Sequence, residues 1–276
     1  MIFNFFIANL LAFAYIFSNE YPSFLINLEI PTYGKIQYYQ WAHPLQKTWD
    51  LESFLGISVL NKMKTIIPQG SIVIDVGAHI GDSSVLYSLA VGENGKVISF
   101  EPSKYAFEVL KKNSELHKNI IPFNYAITEA DGIYNFDFSD LNEFNGGLIK
   151  TFGVFVNVQG YKLDDFLRNN FSQYLNNIKF IKFDCEGYDH TLIKSVSSFL
   201  KEFKPILSCE VYPKLTRDEK REYFRTLKDI GYSLYIDPYK GFFDATHLEN
   251  YAELDEELFC NIMGADVFCF FNSESK

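Results

Sequence analysis

Basic residues are in short supply. Against 35 Asp and Glu the chain has 25 Lys and Arg, a net charge of −10 over 276 residues with a pI near 5.0. Phosphate contacts need clustered Lys and Arg, so this balance argues against a nucleic acid as the main partner. The four lysines between Lys104 and Lys118 are scattered among two glutamates and read as a solvated helix face. No C-x-x-C pair occurs among Cys185, Cys209, Cys260 and Cys269. Buried free thiols in a reducing compartment are therefore expected rather than zinc ligands or disulfides. No G-x-x-x-x-G-K-[ST] occurs, which excludes a P-loop. There is no internal repeat and no low-complexity linker.

No Lys or Arg precedes Lys35, so the uncharged run over residues 1–17 lacks the basic start of a secretory signal. Asn4 and Asn9 interrupt it, and its length is at the short limit of a membrane span of about 17–25 residues. Ala12-Phe13-Ala14 would still serve as a cleavage site. Signal, membrane anchor and packed N-terminal helix all stay open. The expected location is cytoplasmic, with membrane association through residues 1–17 as the alternative.

What the chain does have is centred on Ser71–Ser84. An apolar run (Ile72, Val73, Ile74) ends in Asp75, a loop with Gly77 and Gly81 follows, and a helical pattern starts at Val85. That is the strand–turn–helix layout of a nucleotide-type crevice, with glycines for close approach and free N–H groups at the helix start. Downstream, strands are expected at Lys96–Phe100, Ile120–Ala126, Ile178–Phe183, Pro205–Cys209, Tyr232–Ile236 and Ala265–Phe271, with helices between them. Residues 132–160 break this rhythm with β-like pieces around Phe144-Asn-Gly-Gly147 and predict a β insertion. Thr216-x-x-Glu219 predicts a capping box for a helix stopped by Gly231. Three parts are expected: an apolar segment over 1–20, an extension or lid over 21–70, and an α/β domain over 71–276 with one doubly wound, Rossmann-like sheet of about seven strands. Residues 21–50 read as extended and irregular, with Tyr38, Tyr39, Trp41 and His43 able to cover a site.

Ligands of such sheets sit beyond the carboxyl ends of the strands. Those ends carry Asp75, Glu101, Asp184, Glu186 and Glu210. So many carboxylates would repel a phosphate-rich cofactor. G-x-G-x-x-G is missing too, which disfavours a nicotinamide cofactor. S-adenosylmethionine fits better, since its sulfonium and ammonium groups favour an acidic site. Glu101, about 20 residues after the loop, is the candidate for the ribose hydroxyls. Asp75 would orient the amino-acid part or hold the glycine loop in shape. Asp184 is the first choice for a base or substrate anchor and Glu186 the second, although Glu186 could equally cap the helix after Gly187. His190 reads as a solvated surface histidine. A divalent metal on Asp184 and Glu210 lacks a cluster to complete its shell, so no metal is expected.

Val73-Ile-Asp-Val-Gly-Ala-His-Ile-Gly-Asp82, Ser99-Phe-Glu-Pro102, Asn124-Tyr-Ala-Ile127 and Lys182-Phe-Asp-Cys-Glu-Gly-Tyr188 together resemble the FkbM-like family of S-adenosylmethionine-dependent methyltransferases. The resemblance covers roughly residues 30–271. It implies a class I methyltransferase fold and O-methylation of a sugar, glycan or other small-molecule hydroxyl. It implies cofactor contacts along Asp75, Gly77, Ala78, His79 and Gly81, with Glu101 and Ala126. His79 stands where many relatives have Asn, which leaves it without an expected catalytic part. A nicotinamide oxidoreductase and a catalytically inactive binding module are the competing readings.

Overall fold

The computed structural model describes residues 22–42, 55–138, 154–236 and 251–272. His43, residues 1–17 and the Phe144–Gly147 turn lie outside them. Within them a seven-stranded sheet forms from β3 (Ile72–Val76), β4 (Lys96–Phe100), β5 (Ile120–Phe123), β9 (Ile178–Phe183), β10 (Ile206–Val211), β11 (Tyr232–Ile236) and β12 (Ala265–Phe271). Its order is β11-β12-β10-β9-β3-β4-β5, and only β12 runs antiparallel to its neighbours. The chain leaves β3 in one direction through β4 and β5, then returns to β9 on the other side. This reversal puts a crevice at the carboxyl ends of β3 and β9. It is the doubly wound, Rossmann-like sheet of seven strands that the sequence predicts.

Alternation along the strands separates two cores. Ile72, Ile74 and Val76 face one cluster, while Val73 faces the other. Helices fill both faces because their apolar positions recur at helical spacing. The first described helix is α1 (Ile57–Ile66), followed by α2 (Asp82–Val91), α3 (Lys104–Leu116) and α4 (Leu163–Phe171). Then come α5 (Asp189–Ser195), α6 (Ser197–Phe203), α7 (Arg217–Ile230) and α8 (Glu256–Cys260). The single helix expected after Gly187 is two, since the chain departs from helical geometry at Val196. Thr216 and Glu219 form the expected capping box on α7, and Gly231 ends it in the left-handed conformation. Cys209, Cys260 and Cys269 are buried free thiols, and Cys185 is half-buried.

Two expectations change. Residues 21–50 are not irregular throughout, because Ser23–Ile30 (β1) and Gly34–Trp41 (β2) pair as an antiparallel hairpin. Its β2 strand docks on α3, where the Tyr39 N–H donates to Asn113 Oδ1 at 2.7 Å. Hairpin residues Ile36, Tyr38 and Trp41 share a core cluster with Leu60 and Met63 of α1 and Val85 of α2, so residue 70 is not a packing boundary. The third strand also ends early. Asn124 Nδ2 donates to the Glu101 and Pro102 carbonyls at 2.8 and 3.1 Å, which turns the chain away after Phe123. Ala126–Thr128 (β6) then joins Gly132–Phe138 (β7) and Val154–Lys162 (β8) in a separate three-stranded sheet, the insertion expected at 132–160. Among the described residues, no helix is long and apolar enough to cross a membrane.

Candidate active site

The register of β3 builds the crevice floor. Asp75 lies opposite Ser99 on β4 and Lys182 on β9, and Lys182 lies opposite Ser208 on β10. Parallel neighbours about 4.8 Å apart thus form one polar row across four strands. Asp75 is fully buried, and the hydroxyls of Ser83 and Ser84 donate to its Oδ2 at 2.8 and 2.6 Å. These bonds brace the end of β3 against the first turn of α2, on either side of the glycine loop, in keeping with the loop-holding part open to Asp75. Two residues past Lys182, on the same face, stands Asp184, whose N–H continues the ladder to the Val76 carbonyl at 3.1 Å. Its Oδ2 lies 2.9 Å from Lys182 Nζ, and that ammonium is also 3.8 Å from Asp75 Oδ1.

The glycine loop spends its amides within the protein. Gly77 N–H and Ala78 N–H both donate to the Phe100 carbonyl, at 3.1 and 3.0 Å, and His79 N–H donates to Glu101 Oε2 at 2.8 Å. A cradle of free N–H groups for phosphate does not form here. At the helix start one N–H is taken as well, since Asp82 lies in the first turn of α2 and accepts the Ser83 N–H at 2.9 Å. Gly77 (φ +78°) must be glycine because a Cβ there would lie 1.8 Å from the Asp184 carbonyl oxygen. A Cβ on Gly81 would meet Leu110 at 2.8 Å. The crowding these glycines relieve is with the protein itself. Ala78 and Ala126 are buried in the apolar core. Ala126 starts β6 rather than ending β5.

Glu101 is buried, with Oε1 accepting the Ser103 N–H at 2.7 Å and Oε2 the His79 N–H. Each oxygen keeps lone-pair capacity for a hydroxyl. Burial pushes its carboxyl up to about 7, against the two N–H donors and Lys182, which pull it down. His79 sits at φ +48° with its ring edge-on to Trp41, 5.8 Å between centroids, so β2 reaches the rim.

The second strand end is more acidic than the sequence indicated. Asp184, Glu186 and Glu210 each bring a carboxylate oxygen within 4.8 Å of the others. Glu186 thus joins the Asp184–Glu210 pair considered from sequence, and the three have the donor chemistry for a hard cation. Glu186 is in the left-handed region at φ +52°. Asp266 joins because the antiparallel β12 starts where its neighbours end, opposite Glu210. Burial pushes Glu210 up to about 10, reinforced by Asp184, Asp189, Glu186 and Asp266. Asp189 gathers amides of the turn before α5. Asp189 is fully buried and accepts Cys185 N–H at 3.0 Å and Gly187 N–H at 3.2 Å. His190 is half-buried rather than solvated, its Nδ1 2.9 Å from the Gly187 carbonyl. Lys182, Asp189 and Asp266 went unrecognised because their positions depend on strand register and on the direction of the last strand.

Crowded carboxylates, one buried ammonium and a loop whose Gly77, Ala78 and His79 amides bond within the protein suit a cationic cofactor without phosphate. The methyltransferase FkbM domain matches residues 75–234, more than half of the chain. No curated protein matches. Among solved structures, a candidate rRNA-methylase from Clostridium thermocellum is 15% identical, with 79% of this chain and 96% of that one covered and a TM-score of 0.45. Methyltransferase FkbM from Methylobacillus flagellatus KT is 13% identical over 75% of this chain and 48% of that one, TM-score 0.41, so this chain spans about half of its length. Fibrillarin from Aeropyrum pernix, with natively bound S-adenosylmethionine, is 11% identical over 90% and 83%, TM-score 0.45. This chain belongs to the methyltransferase FkbM domain family.

Proposed function

We propose that the protein O-methylates a hydroxyl of a sugar, glycan or other small molecule, with Asp184 as the base. The observation that carries this is the placement of Asp184. Its side chain is about one-third exposed and directly follows the strand that borders the loop, while Lys182 fixes one of its oxygens at 2.9 Å. The other oxygen is free to take a proton from an acceptor at the crevice mouth. S-adenosylmethionine, when bound, supplies an electrophilic methyl group on a sulfonium, which leaves as a neutral thioether. The chain's own part is alignment, with Glu101 and the Asp75-braced loop holding the cofactor side and Asp184 the acceptor side. A hydroxyl must also shed its proton, and a positioned carboxylate supplies roughly 10²–10⁴-fold of rate for that step. Glu186, held at positive φ beside Asp184, is assigned to anchoring the acceptor.

Incubating the protein and S-adenosylmethionine with a panel of glycans and small hydroxylated molecules, read by mass spectrometry, is expected to add one methyl group to an acceptor hydroxyl. Asp184→Asn is expected to lower the transfer rate at least about 100-fold while S-adenosylhomocysteine still binds. Transfer at the wild-type rate in that variant would remove Asp184 as the base. The same assay with EDTA is expected to keep its rate. Strict dependence on added Mg²⁺ would instead assign Asp184, Glu186 and Glu210 to a metal.

A further inference from the structure

Among the described residues Lys182 is the one basic group in the polar row of the crevice floor, and the transfer chemistry above uses it only to hold one oxygen of Asp184. Its side chain is only 11% exposed, and its ammonium touches three separate parts of the site. These are Asp184 at 2.9 Å, Asp75 at 3.8 Å and the Gly77 carbonyl at 3.4 Å. Burying a lone ammonium is costly unless it is paired, and here two carboxylates and a carbonyl hold it. Its field extends further, because it is the cation acting on Asp82, Glu101 and Asp266 alike.

Methyl transfer changes the charge of the cofactor. The sulfonium is a cation and the product thioether is neutral, so positive charge at sulfur falls as the transition state forms. A crevice lined by carboxylates alone would favour the sulfonium more than that transition state. Binding energy spent on the reactant in this way raises the barrier. We infer that Lys182 is the counter-charge of the crevice, which limits how strongly the site prefers the sulfonium cofactor over its neutral thioether product. By the same contacts it ties the Gly77 loop to the Asp184 strand end, and so fixes cofactor side and acceptor side to one ammonium. This inference rests on the cofactor assignment above but needs no knowledge of the acceptor.

Calorimetric titration of S-adenosylmethionine and S-adenosylhomocysteine tests it at pH 8, where the Asp82 and Asp266 carboxyls, pushed up to about 6, and Glu101, at about 7, are ionised. The quantity read is the ratio of the two dissociation constants. Lys182→Met is expected to raise the preference for S-adenosylmethionine about tenfold over the wild type, and Lys182→Arg to keep it within about twofold. Lys182→Gln keeps a donor for the Gly77 carbonyl and loses only the charge, so it gives the reading if the Met variant does not fold. An unchanged or lowered preference in the uncharged variants would overturn the inference, since a purely structural lysine would weaken both ligands alike. A wild type that binds neither ligand would instead count against the cofactor assignment itself.

Discussion

Gly77→Ala is expected to destabilise the protein by at least about 3 kcal/mol and to weaken S-adenosylmethionine binding at least about 100-fold. Two costs act together. The residue sits at φ +78°, which a side chain disfavours, and the new Cβ would lie 1.8 Å from the Asp184 carbonyl oxygen. That oxygen belongs to backbone whose own N–H is held by Val76, so it cannot swing aside as a flexible side chain would. Relief requires the end of β9 to part from the loop after β3, which moves Asp184 and takes the Gly77 carbonyl from Lys182. Gly70→Ala is the control. It carries a similar φ of +77°, but no atom lies within 4 Å of the added Cβ. Its expected cost is about 1 kcal/mol, from backbone strain alone. Urea denaturation of both variants gives the comparison, and a Gly77 variant no worse than the Gly70 one would mean that the loop and strand end are not packed together.

That contact shows which features the sequence displayed. Glycines at 77 and 81 marked a tight loop after a strand, and the loop is there. What each glycine avoids is a residue far away in sequence, Asp184 for one and Leu110 for the other. Residue spacing carries no information about such pairs. The strands β4 and β9 were legible to the residue because apolar runs and turn residues bound them on both sides. The end of β5 was not, since Asn124 and Tyr125 continue an apolar-looking run. The break comes from Asn124 bonding to the Glu101 and Pro102 carbonyls across the sheet.

The site divides in the same way. Asp75, Glu101, Asp184, Glu186 and Glu210 were visible as acids at the ends of apolar runs. Lys182 was visible only as a letter in a motif, because its partners are set by the pairing of β9 with β3. Asp266 starts its strand rather than ending it, and only the antiparallel direction of β12 brings it beside Glu210. The acidic character was therefore legible in the sequence, while the lysine that balances it emerges from the register.

Glu210→Gln is expected to make the protein more stable. Burial, with Asp184, Asp189, Glu186 and Asp266 nearby, pushes the Glu210 carboxyl from the ordinary 4.5 up to about 10. Its buried Oε2 has no hydrogen-bond partner among the described residues. Between pH 4.5 and 10 the folded chain therefore holds a proton there that the unfolded chain releases. The folded state binds more protons, so stability falls as pH rises through that window. Each pH unit costs about 1.4 kcal/mol for a fully shifted group, softened here by partial contact with water and by the charge shared with Asp184 and Asp189. Glutamine matches the shape of the protonated acid and has no proton to lose. The variant is expected to exceed the wild type by about 2 kcal/mol at pH 8 and to match it near pH 4, as read from urea denaturation across that range. Glu101, at about 7, adds wild-type pH dependence of the same sign below neutrality. A variant less stable than the wild type at pH 8 would mean that Glu210 is ionised in the folded protein, as it would be with a cation bound at the Asp184–Glu186–Glu210 cluster. The crevice thus carries a stability cost at neutral pH that follows from the crowded acids its cationic cofactor favours.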